Sequence, residues 1–337
     1  MGSEMCIRDR GYACDNLLHR KKPQNSSIDQ QILLTFVVLM NTSLRIGTRG
    51  SKLALWQAYD LKAQLKEQGI DSQLVIIKTK GDKIQDLGFD KIEGKGFFTK
   101  EIEDALLSQE VDVAVHSMKD LPTQGVEGLT IAAVSRRASP RDILICSKDL
   151  ADTSRPLRIK EGARIGTSSI RRKVQLASLD ASLALVDIRG NVPTRISKIG
   201  DGDVDGLVLA SAGVDRLDLD LSQYTALRLH PSEFVPAPAQ GVIAYQCRQD
   251  DPKTKSLLKL IHHSEVSACT NVERGLLRLL DGGCQLPLGV YCDRDESGNF
   301  HCHAALGTTP LAPIKRVAYS QSTTSGMAER ILDMLTA

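Results

Sequence analysis

The sequence lacks a large charge excess, a long apolar run and any C-x-x-C pair. Its 337 residues carry a formal net charge of +2, whereas a protein that wraps nucleic acid usually has a clear basic excess. The apolar stretch from Ile32 to Met40 is too short to span a bilayer. We therefore expect neither nucleic acid nor a membrane as a partner of this chain.

The eight cysteines are scattered along the chain instead of forming a disulfide framework, which is typical of a reduced, cytoplasmic protein. His301 and His303 flank Cys302, but in an alternating strand the two histidines would share one face and the cysteine the other. The ligand spacing of known metal sites is absent, so we expect no metal. The phosphate-binding motifs G-x-x-x-x-G-K-[ST] and G-x-G-x-x-G are also absent, which disfavours a nucleotide ligand.

Residues 1–43 are expected to be an unstructured or artefactual extension. The segment from Met5 to Arg10 resembles a translated sequencing-library adapter. Basic residues precede the apolar run, as in a signal peptide, but no small-residue cleavage site follows it. We interpret Met40 as the start of translation and residues 1–39 as dispensable.

From Leu44 onward, short apolar runs alternate with segments of helical spacing. This alternation predicts an α/β fold with parallel sheets that are covered by helices. The motif Arg-Ile-Gly-Thr at residues 45–48 recurs at residues 164–167, and each copy leads through a polar loop into an amphipathic helix. The repeat predicts two similar α/β domains.

The domain boundaries follow from the repeat and from two turn-rich segments. We expect domain 1 to comprise residues 44–135 and 237–258, domain 2 residues 141–234, and a small α/β domain 3 residues 262–337. The linkers would be Arg136 to Arg141 and Val235 to Gly241. A chain that crosses twice between two domains forms a hinge.

Polar and cationic side chains follow one predicted strand after another. In parallel α/β sheets, ligands bind beyond the carboxyl ends of the strands. One arginine there is ordinarily a solvated surface charge, but arginines after four different strands predict a ligand with several carboxylates or phosphates. The candidates are Arg49, Ser51, Ser117, Lys119, Asp120, Thr167, Ser169, Arg171, Arg172, Arg189, Arg195 and Arg216.

Asp120 is the one acid among these strand-end candidates. A carboxylate in this position can oppose a cation or relay a proton, whereas most loop aspartates cap a turn. The residues alone leave both roles open.

A second distinctive residue is Cys284, which lies in the segment Asp281-Gly282-Gly283-Cys284-Gln285-Leu286-Pro287. Glycine and proline favour a loop, so we expect this thiol at the surface or in a cleft.

Several motifs together resemble the porphobilinogen deaminase (hydroxymethylbilane synthase) family. They occur in the family's order from Leu44 to near the C-terminus. These motifs are Arg45 to Ser51, Lys80 to Asp82, Gly94 to Phe98, Val115 to Asp120, Gly166 to Arg172, Arg189 to Val192, Leu209 to Gly213 and Gly283 to Gln285.

The resemblance implies a transferase that joins four porphobilinogen units head to tail into hydroxymethylbilane, with release of ammonia, for tetrapyrrole (haem or chlorophyll) biosynthesis. It implies a covalent dipyrromethane cofactor, attached to Cys284 by a thioether. It also implies two type II periplasmic-binding-protein-like domains and a monomeric, cytoplasmic enzyme.

The resemblance also implies a role for each candidate. Asp120 would protonate the leaving amine and stabilise the azafulvene cation and pyrrole nitrogens, and Phe98 would act as a lid. The cofactor would be held by Lys95, Ser117, Lys119, Thr167, Ser169, Arg171, Arg172 and Arg189. The substrate or the chain end would be held by Arg49, Ser51, Gln57, Arg195 and Arg216.

Two positions depart from the family's pattern. Ala239 stands where glycine is usual, and Val266 where threonine is common. If position 239 needs a positive φ, alanine costs about 1 kcal/mol there. These departures concern the hinge and not the predicted chemistry.

Two other classes of function have the same outline. A non-catalytic solute-binding module also has two domains and a hinge, but it would need neither Asp120 nor a loop cysteine. A cysteine hydrolase would need a histidine base near Cys284. His262 and His263 are the nearest upstream candidates in the sequence, without a recognisable signature around them.

Overall fold

The computed structural model describes residues 43–79, 99–281, 286–309 and 312–337. Its strands are β1 (Ser43–Thr48), β2 (Asp71–Ile76), β3 (Val113–Ser117), β4 (Leu129–Val134), β5 (Asp142–Ser147), β6 (Arg164–Gly166), β7 (Ala184–Val186), β8 (Gly206–Ala210), β9 (Tyr224–Arg228), β10 (Ile243–Arg248), β11 (Leu288–Arg294), β12 (Phe300–Leu306) and β13 (Lys315–Gln321). Its α-helices are α1 (Lys52–Glu67), α2 (Lys100–Leu107), α3 (Ile170–Leu179), α4 (Val192–Gly200), α5 (Ser211–Arg216), α6 (Pro252–Lys259), α7 (Ser264–Leu279) and α8 (Met327–Thr336).

The first two sheets have the same topology. The first has the strand order β2-β1-β3-β10-β4 and the second β7-β6-β8-β5-β9. In the first, β1 runs parallel to β2 and β3, while β10 is antiparallel to β3 and β4. In the second, β6 runs parallel to β7 and β8, while β5 is antiparallel to β8 and β9. The predicted α/β fold class with two similar units is confirmed.

The repeated motif Arg-Ile-Gly-Thr has the same contacts in both sheets. Arg45, in β1, forms a 2.7 Å ion pair with Asp112, and its backbone N–H donates to the same carboxylate at 2.9 Å. Arg164, in β6, forms a 2.8 Å ion pair with Asp205, and its backbone N–H also donates to that carboxylate at 2.8 Å. The sequence repeat is therefore a structural repeat.

Two connections cross between these sheets. The first crossover runs from β4 to β5, and the second crossover runs from β9 to β10. The predicted linkers, residues 136–141 and 235–241, lie in these connections. In the second crossover, Ala239 is buried and has a φ of 62°. Position 239 therefore has the positive φ on which the cost of an alanine depends. The predicted domain boundaries themselves stay a prediction.

The third sheet is antiparallel, with the order β11-β12-β13. One of its faces packs on α7 and α8 through a buried cluster that includes Val272, Leu276, Val290, Cys302 and Ile331. Alternation along β12 places Cys302 and Ala304 in this core and leaves His301 and His303 half-buried on the opposite face.

The described residues contain neither a membrane-spanning helix nor a metal-binding group of side chains. None of their helices combines the length and the apolar character that crossing a membrane requires. Their histidine, cysteine and acidic side chains also form no group of three that could hold a metal ion.

Candidate active site

The turn that follows β3 carries the predicted catalytic acid. It is one 3-10 turn, Met118–Asp120. Its first side chain is buried, and the backbone N–H of Met118 donates to the carbonyl of Val242 at 2.9 Å. Lys119 is half-buried and Asp120 is exposed, so the carboxylate is accessible to a ligand.

Lys119 lies where charges from both sheets act together. Burial lowers the pKa of its ammonium group, and the charges that act on this group belong to Asp120, Arg172, Asp142 and Arg171. Asp120 follows β3, on the side of the first sheet where its parallel strands end; we call this side the strand-end edge of a sheet. The other three residues belong to the second sheet or to the helix that follows β6. The two strand-end edges therefore share one electrostatic environment.

Arg195, in α4, joins this environment from the second sheet. Burial lowers the pKa of its guanidinium group, the charge of Arg172 lowers it further, and the charge of Asp120 opposes both effects. Its Nε donates to the carbonyl of Gly190 at 2.7 Å, which fixes the side chain against the loop before α4. The charge of Asp120 thus acts on Lys119 of the first sheet and on Arg195 of the second.

The two arginines in the first turn of α3 are buried and bound to one acid. Arg171 Nη1 lies 2.8 Å from Asp142 Oδ2, and Arg172 Nη2 lies 2.7 Å from Asp142 Oδ1. Burial alone would raise the pKa of Asp142, but the two guanidinium groups outweigh it and leave the pKa lowered. Two cations share one carboxylate, so the cluster keeps one net positive charge.

The same cluster is attached to both crossovers. Asp142 itself ends the first crossover, at the start of β5. Arg171 Nη1 donates to the carbonyl of Val235 at 2.8 Å, and Gln240 Nε2 donates to Asp142 at 3.1 Å. Val235 and Gln240 belong to the second crossover. The position of the arginine pair therefore depends on the geometry of both connections.

Arg216, at the end of α5, is also attached to the second crossover. Its Nη2 donates to the carbonyl of Gly241 at 2.9 Å, and its guanidinium carbon lies 5.5 Å from the ring centroid of Trp56 in α1. Burial lowers the pKa of Arg216, and the charge of Asp60 opposes this effect. This predicted substrate-binding residue thus contacts the helix that follows β1.

The predicted polar site residues have local partners. Gln57 Nε2 donates to Ser117 Oγ at 2.9 Å, which joins α1 to the end of β3. Ser51 caps α1 and accepts from a backbone N–H there. Thr167 is buried, and its Oγ1 accepts from the backbone N–H of Ser169 at 3.3 Å. The roles predicted for these residues stay predictions.

The remaining predicted residues divide into two groups. Arg49 follows β1, Arg189 follows β7, and both are half-buried. Lys95, Phe98 and Cys284 lie outside the described residues. Their predicted roles therefore stay predictions as well.

Sequence reasoning did not identify Asp142 and Gln240. The available signal for Asp142 was an acid directly after the predicted linker, next to Arg141. Its partners are 29 and 30 positions away for the arginines and 98 away for Gln240. Contacts of this kind depend on how the crossovers fold back, which residue spacing does not reveal.

The two histidines that a cysteine hydrolase would need are engaged with backbone groups. His262 Nδ1 accepts from the backbone N–H of Val134 at 3.3 Å. His263 caps α7 and accepts from the backbone N–H of Val266 at 3.5 Å. These contacts give both rings a structural role.

Two sheets of one topology, joined by two crossovers, bring cations around one exposed carboxylate. This arrangement defines an α/β protein with a site suited to a polyanionic small molecule. Residues 44–256 match the family model described as "Porphobilinogen deaminase, dipyromethane cofactor binding domain", and residues 267–313 match "Porphobilinogen deaminase, C-terminal domain". The chain belongs to the porphobilinogen deaminase family. The predicted family, transferase activity and dipyrromethane cofactor are thereby confirmed.

Curated relatives agree with this assignment. The chain is 44% identical over 271 residues to the porphobilinogen deaminase of Chloroherpeton thalassium, which covers 80% of this chain and 84% of the relative. It is also 44% identical over 270 residues to the porphobilinogen deaminase of Syntrophomonas wolfei subsp. wolfei, which covers 79% of this chain and 85% of the relative.

Similar solved structures are more distant. YhfZ from Shigella flexneri aligns with 76% of this chain and 97% of its own, at 17% identity and a TM-score of 0.36. The BvgS periplasmic VFT2 domain of Bordetella pertussis aligns with 73% of this chain and 97% of its own, at 15% identity and a TM-score of 0.39. The family assignment rests on the sequence comparisons alone.

Proposed function

We propose that this chain joins four porphobilinogen units head to tail into hydroxymethylbilane, with Asp120 as its catalytic acid. The observation that carries the proposal is the shared electrostatic environment of Asp120, Lys119, Arg172 and Arg195, which come from both sheets. The exposed carboxylate at its centre can contact a substrate that the surrounding cations hold.

Asp120 has the properties that a proton donor to a leaving amine needs. It lies on a turn whose backbone is fixed to β3 and to the second crossover. Its side chain is exposed, so a bound amine can come within hydrogen-bonding distance. A carboxylic acid that gives its proton to the departing amine becomes a carboxylate, whose negative charge stabilises the developing cation.

The cationic residues fit the carboxylates of dipyrromethane, which when bound supplies the covalent primer for the growing chain. Burial lowers the pKa of Lys119 and Arg171, so a ligand carboxylate nearby would stabilise their charged forms. The pair Arg171 and Arg172 keeps one net positive charge beside Asp142. We assign cofactor binding to Lys95, Ser117, Lys119, Thr167, Ser169, Arg171, Arg172 and Arg189, with Cys284 as the attachment point.

The substrate and the chain end are assigned to a second set, which consists of Arg49, Ser51, Gln57, Arg195 and Arg216. Arg195 and Arg216 support this assignment, because burial lowers the pKa of both guanidinium groups and an anionic substrate would offset that cost. Phe98 is assigned as the lid. We further propose a monomeric, cytoplasmic enzyme without nucleic-acid or membrane partners, in line with the net charge of +2.

Turnover by Asp120→Asn tests the catalytic assignment. The substitution keeps the shape of the side chain and removes the transferable proton and the charge. We expect the adduct to remain on the protein and turnover to fall about 10²- to 10⁴-fold. Asp250→Asn, at an exposed position before α6, is the matched control and should turn over like the parent. An Asp120→Asn protein within threefold of the parent would refute the assignment.

A further inference from the structure

One guanidinium group holds the turn that carries Lys119 and Asp120. Arg274, in α7, donates through Nη1 to the carbonyls of Met118 at 3.1 Å and Leu121 at 2.9 Å. Its Nη2 donates to the carbonyl of Pro122 at 2.7 Å. These carbonyls lie on both sides of Lys119 and Asp120 in the chain, so the arginine fixes the turn before and after the proposed acid.

The backbone of the turn makes weaker contacts of its own. The Met118 N–H donates to the second crossover, but the bond that closes the turn, from the Leu121 N–H to the Met118 carbonyl, is 3.3 Å long. Hydrogen bonds from a charged group are stronger than those between neutral groups. Arg274 therefore provides the charged donor for the carbonyls on both sides of Lys119 and Asp120.

A pocket lies beside the segment that directly follows the turn. It has a volume of about 270 Å³, and Leu121, Pro122, Gln246 and Arg274 are among the residues that line it. The side chains of Met118 and Leu121 pack in the core at the two ends of the turn, so the guanidinium group acts together with this packing on the segment between them. Removing the guanidinium group would leave three carbonyls without this donor and would enlarge the space beside the turn.

The helix that supplies Arg274 is itself firmly anchored. The preceding residue, Glu273, is fully buried and pairs with Arg137 of the first crossover at 2.6 Å. It also accepts from the backbone N–H groups of Ala239 at 2.6 Å and Cys292 at 2.8 Å. Two consecutive residues of α7 thus bind different partners, Glu273 the crossovers and β11, and Arg274 the turn.

We propose that Arg274 is a positioning residue for Asp120. It places the carboxylate by fixing the carbonyls of Met118, Leu121 and Pro122 against an anchored helix. The inference rests on the proposed catalytic role of Asp120. A displacement of about 1 Å in a catalytic group can cost about 100-fold in rate, so the loss of Arg274 should appear in turnover.

A double-mutant cycle tests this inference. Arg274→Met keeps the apolar stem and removes the donors, and it is made in the parent and in Asp120→Asn, with the adduct verified by intact mass in each protein. In the parent, we expect Arg274→Met to lower kcat about 10- to 100-fold and to leave KM within threefold. In the Asp120→Asn background, we expect less than a threefold further loss, because the group being positioned no longer acts.

Two further variants control for folding and for charge. Arg278→Met removes an exposed arginine one turn further along α7 and should leave kcat and KM unchanged. Arg274→Lys retains a charged group with one donor nitrogen and should give a smaller loss that also disappears in the Asp120→Asn background. The lysine variant provides the same test if Arg274→Met does not fold.

The outcomes separate the inference from the proposed function. An equal fold-loss in both backgrounds would show that Arg274 acts independently of Asp120, and the inference would be wrong while the role of Asp120 stands. An Asp120→Asn protein with parental turnover would overturn the role of Asp120 and the inference with it. A loss in the parent background alone supports both.

Discussion

The strand-end edges of the two sheets share a topology but differ in charge and in burial. Because β1 pairs with β3 in the same register as β6 pairs with β8, Asp120 of the first edge corresponds to Gly213 of the second. The first edge therefore has an exposed acid where the second has no side chain. The second edge instead has Arg171 and Arg172, both buried against Asp142.

This difference indicates a division of labour within one repeated fold. The strands β1 and β6 both begin with an arginine that pairs with an aspartate at the start of the neighbouring parallel strand. The segments that follow β3 and β6 differ between the two sheets, and ligands of α/β proteins bind at strand ends of this kind. The first edge suits proton transfer, and the second suits holding a polyanion.

The largest expected effect comes from removing one arginine from each edge. Arg171→Leu should leave mostly apo-protein, because the second edge loses a cation that holds the cofactor. Arg49→Leu should keep the cofactor and block elongation, because it removes a cation from the first edge. Intact mass of the two purified proteins measures this directly, and the same adduct pattern in both would break the comparison.

A smaller effect should distinguish the interiors of the two sheets. His116 of β3 is buried, and burial lowers its pKa to about 4. In register, its counterpart in β8 is Leu209. The unfolded chain binds a proton near pH 6.5 and the folded one only near pH 4, so stability falls as pH drops through this window.

The variant His116→Leu places at position 116 the leucine that the second sheet has at the equivalent position. It should remove the part of the pH dependence of stability that comes from this histidine. The shifted pKa of His116 changes the free energy of unfolding by about 3 kcal/mol between pH 6.5 and 4. Denaturant unfolding of parent and variant across this range, with the difference taken at each pH, isolates the histidine from the other titrating groups. A difference that does not change with pH would contradict the burial argument.

The sequence predicted the shared features of the two edges better than their differences. The repeat at residues 45 and 164 revealed two similar units, because register and core packing leave local patterns. The positions of Lys119 and Arg172 followed from the rule that ligands bind at strand ends.

The partners of these residues could not be predicted in the same way. Asp142 meets the arginines, and Arg274 meets the turn after β3, only because the crossovers and α7 fold back onto the edges. The contacts of Arg274 span 152 to 156 positions, and no local pattern encodes a separation of that size. The family resemblance pointed to position 239 as a departure from glycine, and the structure gives Ala239 a positive φ there.

The smallest expected effect concerns the crossover that joins the two edges. Ala239→Gly relieves the left-handed conformation at φ 62°, which costs a non-glycine residue about 1 kcal/mol, but it also removes a buried methyl group. We expect a net gain of less than about 1 kcal/mol in the free energy of unfolding. Denaturant titration measures it, and a loss larger than 1 kcal/mol would show that the methyl group matters more than the backbone.

The central claim is that a polyanionic cofactor, attached at one cysteine, lies between these two edges. Peptide mapping of the purified protein by mass spectrometry tests it most directly, after a positive colour reaction with Ehrlich's reagent. We predict a dipyrromethane adduct on the peptide that contains Cys284, its loss in Cys284→Ser, and its retention when Cys146, Cys247, Cys269, Cys292 or Cys302 is replaced by serine. An adduct on any other peptide, or a protein with no adduct at all, would contradict the account.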